Sequence, residues 1–299
     1  MSLISKQVPV IRSDAEALSV ARELAAVLKR DSALRDRERR LPHDELELFS
    51  RTGLWGICVP KGFGGAGVSN TTLANVIAVI AAADSSLGQI PQNQVGILSL
   101  IAATATRAQK EQLFASVLQG WRIGNAGPER GSKNTLDLKA RITADGDEFA
   151  ISGQKFYSTG ALFAHWIAVK ALDDNGKQVM AFVRRGTPGL RVVDDWSGFG
   201  QRTTASGTVL LNNVRVEAEL AAQALGALPM GIYADLRNFH NMYLDCNKNL
   251  IKVKNKLARW FNIWFPEYGE VFKDMGAKSS LMLLEKARTP DAVIALGAD

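Results

Sequence analysis

The sequence predicts an α+β protein: an N-terminal helical domain, then a small antiparallel β-barrel, then a basic helical tail. Apolar residues recur at helical spacing up to Gly120, and from Trp121 onward polar and apolar residues alternate as in strands. The net charge is +6, and ten Lys or Arg against six Asp or Glu lie between Ile232 and Arg288. We therefore predict a helical domain over residues 1–120, a barrel over 121–220, a connector over 221–231 and a helical tail over 232–299.

The helical domain is predicted from three patterns. A first helix has one apolar stripe, which comprises Leu18, Ala21, Leu24, Ala25 and Leu28. Asp14 precedes this stripe and is predicted to cap the helix. A second helix is predicted between Pro42 and Gly53, because proline favours the first turn and glycine the position after the last. Residues 70–88 are nearly all apolar, which predicts a buried helix.

The barrel is predicted from short strands with turns between them. Alternating segments flank Asp145-Gly146 and Asn175-Gly176, the dipeptides most typical of tight hairpins. Two further strands are predicted at residues 190–196 and 207–216. Several short strands at regular spacing are typical of a small antiparallel barrel or sandwich.

Cysteine usage and the lengths of the apolar runs predict where the protein is located. The two cysteines, Cys58 and Cys246, lie far apart, so a reduced cytoplasmic compartment is the expectation. The first residues lack the apolar core of a signal peptide, and no apolar run reaches the roughly 18 residues of a membrane span. No group of residues has the spacing of a metal site, so no metal is predicted.

Four stretches in order carry a family resemblance. They are GLWGICVPKGFGGAGVS at 53–69, GNAGPERGSK at 124–133, GQKFYSTGALFAHWIAV at 153–169 and FGQRTTASGTVLLNNVRV at 199–216. The glycine-rich stretch alone is a weak signal, and it lacks the strand-then-helix context of a phosphate-binding loop. Together the four stretches resemble the acyl-CoA dehydrogenase superfamily. The resemblance implies a helical domain, a middle barrel and a flavin bound by the barrel.

The segments 124–126 and 156–160, with IPQNQ at 90–94, resemble one branch of that superfamily. It is the branch of flavin-dependent organosulfur monooxygenases, which includes enzymes like dibenzothiophene monooxygenase and the sulfur-acquisition oxidoreductases. The resemblance implies reduced FMN supplied by a separate flavin reductase, with FAD as the alternative. It also implies a small organosulfur substrate and a homo-oligomer.

The same resemblance implies the site residues. Asn125 would place an amide, and Thr159 a hydroxyl, beside the reacting part of the flavin. The cofactor-binding set implied by the resemblance is Asn125, Ala126, Tyr157, Ser158, Thr159 and Trp166. From the residues alone, Asn125 is equally a turn-capping amide, Thr159 an ordinary strand residue and Trp166 a core residue.

Two positions depart from the family pattern. Pro128 stands where a flavin-contacting Ser or Thr is usual, and proline has neither an N–H nor a hydroxyl. Gln94 stands where the monooxygenase branch tends to have His, and glutamine does not change its protonation state. His165 lies beside Trp166 and is interpreted as structural. Both departures predict weaker flavin binding and less turnover.

The tail resembles a second, unrelated family. LIKVKNKLARW at 250–260, WFPEYGEVF at 264–272 and TPDAV at 289–293 resemble the helical middle of a DEDD-type insertion-sequence transposase. The metal-binding carboxylates of that family are not among these motifs. We therefore expect residues 232–265 to form a basic helix that binds DNA weakly and does not cut it. The alternative interpretation is an amphipathic helix with a solvated basic face.

Three functions follow from these resemblances. The first is a flavin-dependent oxidoreductase, most like a reduced-flavin monooxygenase acting on organosulfur compounds. The second is a nucleic-acid-binding protein derived from a transposase. The third is an inactive product of a gene interrupted by an insertion element. Since no stretch resembles the superfamily's C-terminal helical bundle, the first function is predicted in a truncated and impaired form.

Overall fold

The computed structural model describes residues 8–131, 137–217 and 220–222, and short stretches between residues 248 and 296. Contacts within the chain divide it into two compact units, Met1–Leu228 and Pro229–Asp299, which we describe separately. This division falls within the predicted connector, most of which lies outside the described residues.

The first unit begins with six α-helices. They are α1 Asp14–Leu28, α2 Ser32–Glu38, α3 His43–Ser50, α4 Asn70–Ala83, α5 Ser85–Thr104 and α6 Arg107–Leu118. The cap of α1 is Ser13, whose hydroxyl accepts from the amide of Glu16, so the prediction that Asp14 caps this helix is wrong. Asp14 instead accepts hydrogen bonds from the hydroxyls of Ser69 and Thr72, at 2.7 and 2.9 Å, and thereby joins α1 to the start of α4.

The apolar run predicted as one buried helix forms two helices. The break is at Asp84, whose backbone is extended and whose carboxylate accepts from the amide of Leu87 at the start of α5. Only one side of α4 is buried, through Thr72, Val76 and Ile80. Composition does not distinguish a wholly buried helix from a half-buried one, because that difference depends on which neighbours pack against it.

Eight strands form one curled sheet behind the helices. They are β1 Ile123–Ala126, β2 Arg141–Asp145, β3 Glu148–Lys155, β4 Trp166–Leu172, β5 Gln178–Arg184, β6 Leu190–Val193, β7 Thr208–Glu217 and β8 Ala221–Ala222. Their order is β6-β7-β3-β2-β4-β5-β8, with β1 beside β4. The predicted turns at Asp145-Gly146 and Asn175-Gly176 join β2 to β3 and β4 to β5.

The sheet is mixed, which corrects the prediction of an antiparallel barrel. Strands β1 and β2 both run parallel to β4, whereas the hairpins and the β3–β7 and β6–β7 pairs are antiparallel. Local alternation predicts that a segment is a strand but not the direction of its neighbour. Here β1 follows directly from α6 and pairs with a strand about 40 residues further on, from Ile123↔Trp166 to Ala126↔Val169.

In the second unit the described residues include helical stretches at 251–253 and 255–260, and helix α7 at Pro290–Leu296. The hydroxyl of Thr289 accepts from the amide of Ala292 at the start of α7. Most of the segment with the transposase resemblance lies outside the described residues, so its weak DNA binding stays a prediction.

In the part of the chain that the structure describes, no helix combines the length and apolar character needed to cross a bilayer. Nor do three or more His, Cys, Asp or Glu side chains meet there in a way that could hold a metal ion.

Candidate functional site

The predicted site residues lie on two segments. The first runs from Asn125 in β1 to Arg130, and the second follows β3 and runs from Phe156 to Gly160. The backbone amide of Asn125 donates to the carbonyl of Thr159 at 3.1 Å, and the backbone amide of Phe156 donates to the carbonyl of Pro128 at 2.9 Å. These two backbone bonds make the segments one wall and bring the predicted residues Asn125 and Thr159 together.

The aromatic part of the wall is Tyr157. Its backbone is left-handed, with φ of +53°, and its side chain is 49% exposed. The Trp196 ring meets it edge-on at a centroid distance of 6.1 Å, and the Arg130 guanidinium lies 5.7 Å from the Tyr157 centroid. These three residues line a cavity of about 260 Å³, which Asn125 and Thr159 do not line. Of the residues predicted to bind the cofactor, Tyr157 therefore lines this cavity, whereas Asn125 and Thr159 form a separate polar pair.

The Thr159 hydroxyl is hydrogen-bonded to a row of two further hydroxyl groups. Ser206 Oγ donates to Thr159 Oγ1 at 3.3 Å, and Ser206 Oγ lies 2.8 Å from Thr204 Oγ1. Ser206 and Thr204 are buried, whereas Thr159 is half-buried. Because Thr159 accepts from Ser206, its own hydrogen is available to donate elsewhere. These hydrogen-bonded hydroxyl groups were not predicted from the sequence, although the hydroxyl-rich run at 203–208 was a signal for them.

Behind the wall lies a buried ion pair that sequence reasoning also missed. Lys155 Nζ is 2.6 Å from Glu129 Oε1 and 3.3 Å from the carbonyl of Gly127. The Glu129 carboxylate also accepts from the amides of Lys139 and Ala140, at 2.6 and 3.0 Å. The two side chains are 0% and 4% exposed, so the pair anchors both site segments to the core.

Burial and ion pairing shift the pKa values of Glu129 and Lys155 in opposite directions. Burial alone would raise the pKa of Glu129, but the hydrogen bonds from Lys155, Ala140 and Lys139 outweigh it and lower that pKa. For Lys155, burial is the largest influence and lowers the pKa, although the bond to Glu129 opposes it. The carboxylate is therefore held ionised, and the ammonium depends on it for compensation.

Three predicted cofactor residues have buried side chains. Ala126 and Ser158 are fully buried, and the Ser158 hydroxyl has no partner among the described residues. Trp166 is 3% exposed, and its indole N–H donates to Ser116 in α6 at 3.2 Å. The Trp166 side chain thus lies in the core between β4 and α6, and its assignment to the cofactor-binding set stays a prediction.

Gln94 does not face an open site. It is buried in α5, its Oε1 accepts from the amide of Ile123 at 2.8 Å, and its Nε2 donates to the carbonyls of Trp55 and Trp121. The expectation of a missing acid–base group at this position is thus corrected, because Gln94 joins α5 to β1. Pro128, in contrast, is exposed on the wall, and its carbonyl is used by Phe156.

His165 makes structural contacts, which fits its interpretation from the sequence. Its Nδ1 accepts from the amide of Arg122 at 3.0 Å, and its ring stacks on Trp121 with centroids 5.3 Å apart. Burial, and then the charge of Arg122, lower the pKa of His165 to about 4. The ring is therefore neutral at pH 7.

Comparison with known families matches most of the first unit. Residues 15–121 match the family "Acyl-CoA dehydrogenase, N-terminal domain", and residues 124–214 match "Acyl-CoA dehydrogenase, middle domain". Dibenzothiophene monooxygenase of Rhodococcus erythropolis is 31% identical over 222 residues, which cover 72% of this chain and 52% of that protein. A probable FMNH2-dependent monooxygenase, SfnC of Pseudomonas putida, is 28% identical over 70% of this chain and 52% of its own.

Solved structures of similar proteins match the same part of the chain. The FMN-bound structure of TdsC from Paenibacillus sp. A11-2 has a TM-score of 0.64 and 31% identity, over 70% of this chain and 54% of that one. Butyryl-CoA dehydrogenase from Megasphaera elsdenii is 18% identical with a TM-score of 0.66, over 75% of this chain and 61% of that one, a likeness of fold. The chain spans about half the length of the curated relatives it matches.

Proposed function

Because the chain belongs to the acyl-CoA dehydrogenase family over residues 15–121 and 124–214, we propose that it is a flavin-binding oxidoreductase of the organosulfur monooxygenase branch. The single observation that carries the proposal is the wall at which Asn125 and Thr159 meet beside the exposed ring of Tyr157. Relatives named as dibenzothiophene monooxygenase and as a probable FMNH2-dependent monooxygenase support the reaction class.

The residues of the wall fit a flavin. An isoalloxazine ring has a polar edge that needs hydrogen-bond partners and a planar face that packs on aromatic rings. The side-chain amide of Asn125 and the hydroxyl of Thr159 are partners for the edge, and Tyr157 and Trp196 are surfaces for the face. Arg130, which lies over Phe156 at 4.4 Å, adds a positive charge suited to the anionic reduced flavin or its phosphate.

In this proposal the cofactor is reduced FMN delivered by a separate reductase, and the substrate is a small organosulfur compound. Bound reduced FMN supplies the two electrons with which O2 yields one oxygen atom for sulfur and one molecule of water. Asn125 and Thr159 hold the polar edge, and Ser206 sets the Thr159 hydroxyl as a donor. Tyr157 and Trp196 exclude water from the reacting face. We further propose a cytoplasmic location and a homo-oligomer.

Pro128 is expected to weaken this site relative to its relatives. It is exposed on the wall and provides no N–H to a bound ring. One missing hydrogen bond to a buried ligand group corresponds to roughly 1–3 kcal/mol, or about one to two orders of magnitude in affinity. We therefore propose weak FMN binding and low turnover.

The test is an equilibrium titration with oxidised FMN and FAD, followed by flavin fluorescence. The unmodified chain should bind FMN saturably, and replacing Asn125→Ala together with Thr159→Val should weaken binding by about a hundred-fold, ten-fold for each lost bond. The control pair is Asn212→Ala with Thr143→Val, because both residues are exposed on strands outside the wall.

Two results would contradict the proposal. One is the absence of saturable flavin binding by the unmodified chain, and the other is equal affinity in the Asn125/Thr159 variant. Tighter binding of FAD than FMN would correct the choice of cofactor. Oxygen uptake with a flavin reductase and a thiophene or sulfone then tests the reaction class.

A further inference from the structure

A second cleft, of about 750 Å³, lies where the start of α3 meets the turn before β4 and the end of β5. We call it the arginine cleft, and it is lined by His43, Arg122, His165, Arg184, Arg185 and Thr187, with apolar walls from Leu162 and Phe163. Among the described residues, no Asp or Glu lines it. Nothing in the proposed flavin function makes use of it.

Arg184 is held in place without using up its donors. Its guanidinium carbon lies 5.1 Å from the centroid of Trp121 and 5.5 Å from that of Trp166. Stacking on aromatic rings fixes the guanidinium plane but leaves the N–H groups at its edge. Arg184 is exposed, and no carboxylate of the described part of the chain lies within ion-pair distance of it.

Arg185 and Arg122 have different roles in the cleft. Arg185 donates from Nη1 to the carbonyl of Ala161 at 2.6 Å, which anchors it while its other N–H groups remain. Arg122 is buried and paired with Glu47 at 2.8 Å, so its charge is compensated. The uncompensated charge of the cleft therefore comes from the neighbours Arg184 and Arg185.

His165 adds a neutral donor to the same lining. Its Nδ1 accepts from a backbone amide, so in the neutral ring the hydrogen is on Nε2. An N–H donor beside two guanidinium groups favours an anion with several oxygen atoms, because each fork can hold two of them.

We propose that the arginine cleft binds an organic oxyanion, that is, a phosphate or sulfonate group attached to a small apolar or aromatic body. The two guanidinium groups and the His165 N–H recognise the oxyanion, and Leu162 and Phe163 contact the body. The volume supports this class, since it lies in the range of small-molecule sites and far exceeds what an inorganic ion fills.

The test compares three probes of the same size class by calorimetry: phenyl phosphate, benzenesulfonate and neutral phenol. The two anions should bind saturably to the unmodified chain, and phenol should not. Arg184→Gln and Arg185→Gln should each weaken anion binding by about ten-fold or more, as for a lost charge-assisted bond. Arg191→Gln, at an exposed arginine on β6, is the matched control and should change nothing.

A second measurement uses the unmodified chain, so its result does not depend on whether a variant folds. In the unmodified chain, phenyl phosphate should shift the NMR signal of the Trp121 indole, because Arg184 stacks on that ring. The Asn125→Ala/Thr159→Val variant should bind phenyl phosphate normally, which separates this site from the proposed flavin site. Absence of saturable anion binding, unchanged affinity in the Arg184→Gln/Arg185→Gln double variant, or equal binding of phenol would overturn the proposal.

Discussion

Replacing Glu129 with alanine should destabilise the first unit by about 3–5 kcal/mol, the loss typical of a buried ion pair deprived of one partner. Lys155 would remain with its ammonium fully buried, with the carbonyl of Gly127 as its remaining partner among the described residues. The amides of Lys139 and Ala140 would lose their acceptor as well. Urea unfolding followed by tryptophan fluorescence measures this loss as a lower midpoint.

Two variants show whether the orphaned charge is the cause. Glu111→Ala removes a carboxylate from an exposed pair, in which Arg107 and Glu111 are 87% and 54% exposed, and should change stability by less than about 0.5 kcal/mol. The double variant Glu129→Leu/Lys155→Met should recover much of the loss, because replacing both partners removes the uncompensated charge. If Glu129→Ala is no more destabilising than Glu111→Ala, the pair does not anchor the site segments.

The same pair predicts how stability depends on pH. The pKa of Glu129 is lowered in the folded chain, so its contribution is complete above the ordinary value of 4.5 and is lost as pH falls through the folded value. The stability difference between the unmodified chain and Glu129→Ala should therefore shrink below pH 4.5. Unfolding midpoints at pH 7 and pH 3.5 measure it, and a constant difference would contradict this role.

Replacing Asp84 with alanine should destabilise the helical part by about 3 kcal/mol, since it removes a buried charge partner and a helix cap together. Asp84 Oδ2 accepts from Arg35 Nη2 at 2.8 Å, and Oδ1 accepts from the amide of Leu87. Arg35 is 2% exposed and keeps only Glu45 as a carboxylate among the described residues. This remaining partner puts the expected loss at the lower end of the range for buried pairs.

Asp84→Asn separates the two contributions. Asparagine caps helices about as well as aspartate but lacks the charge, so this variant should lose less stability than Asp84→Ala. Asp44→Ala is the control, because its carboxylate is 94% exposed. The denaturant midpoint should be highest for Asp44→Ala, lower for Asp84→Asn and lowest for Asp84→Ala. Equal midpoints for the two Asp84 variants would assign the whole effect to the lost charge, since asparagine keeps the cap.

Local patterns predicted the elements that depend on local chemistry. The turns at Asp145-Gly146 and Asn175-Gly176, and the change from helix to strand near Trp121, follow from residue types that permit few other backbones. The resemblance of residues 124–133 and 153–169 also located the two segments that the Asn125–Thr159 backbone bond brings together. The predicted antiparallel direction was wrong for β1 and β2 against β4, because no local pattern encodes these pairings between distant segments.

By itself the sequence determined the change from helices to strands near Trp121, the two hairpin turns, and which family the first two-thirds of the chain resembles. Only the tertiary structure decided which side chains are buried and what they contact. It placed Trp166 and Gln94 in the core, paired Lys155 with Glu129, and gathered Arg184 and Arg185 at a cleft without a carboxylate among the described residues. The physical reason is that burial and ion pairing depend on residues distant in the chain, whereas backbone preference depends on neighbours.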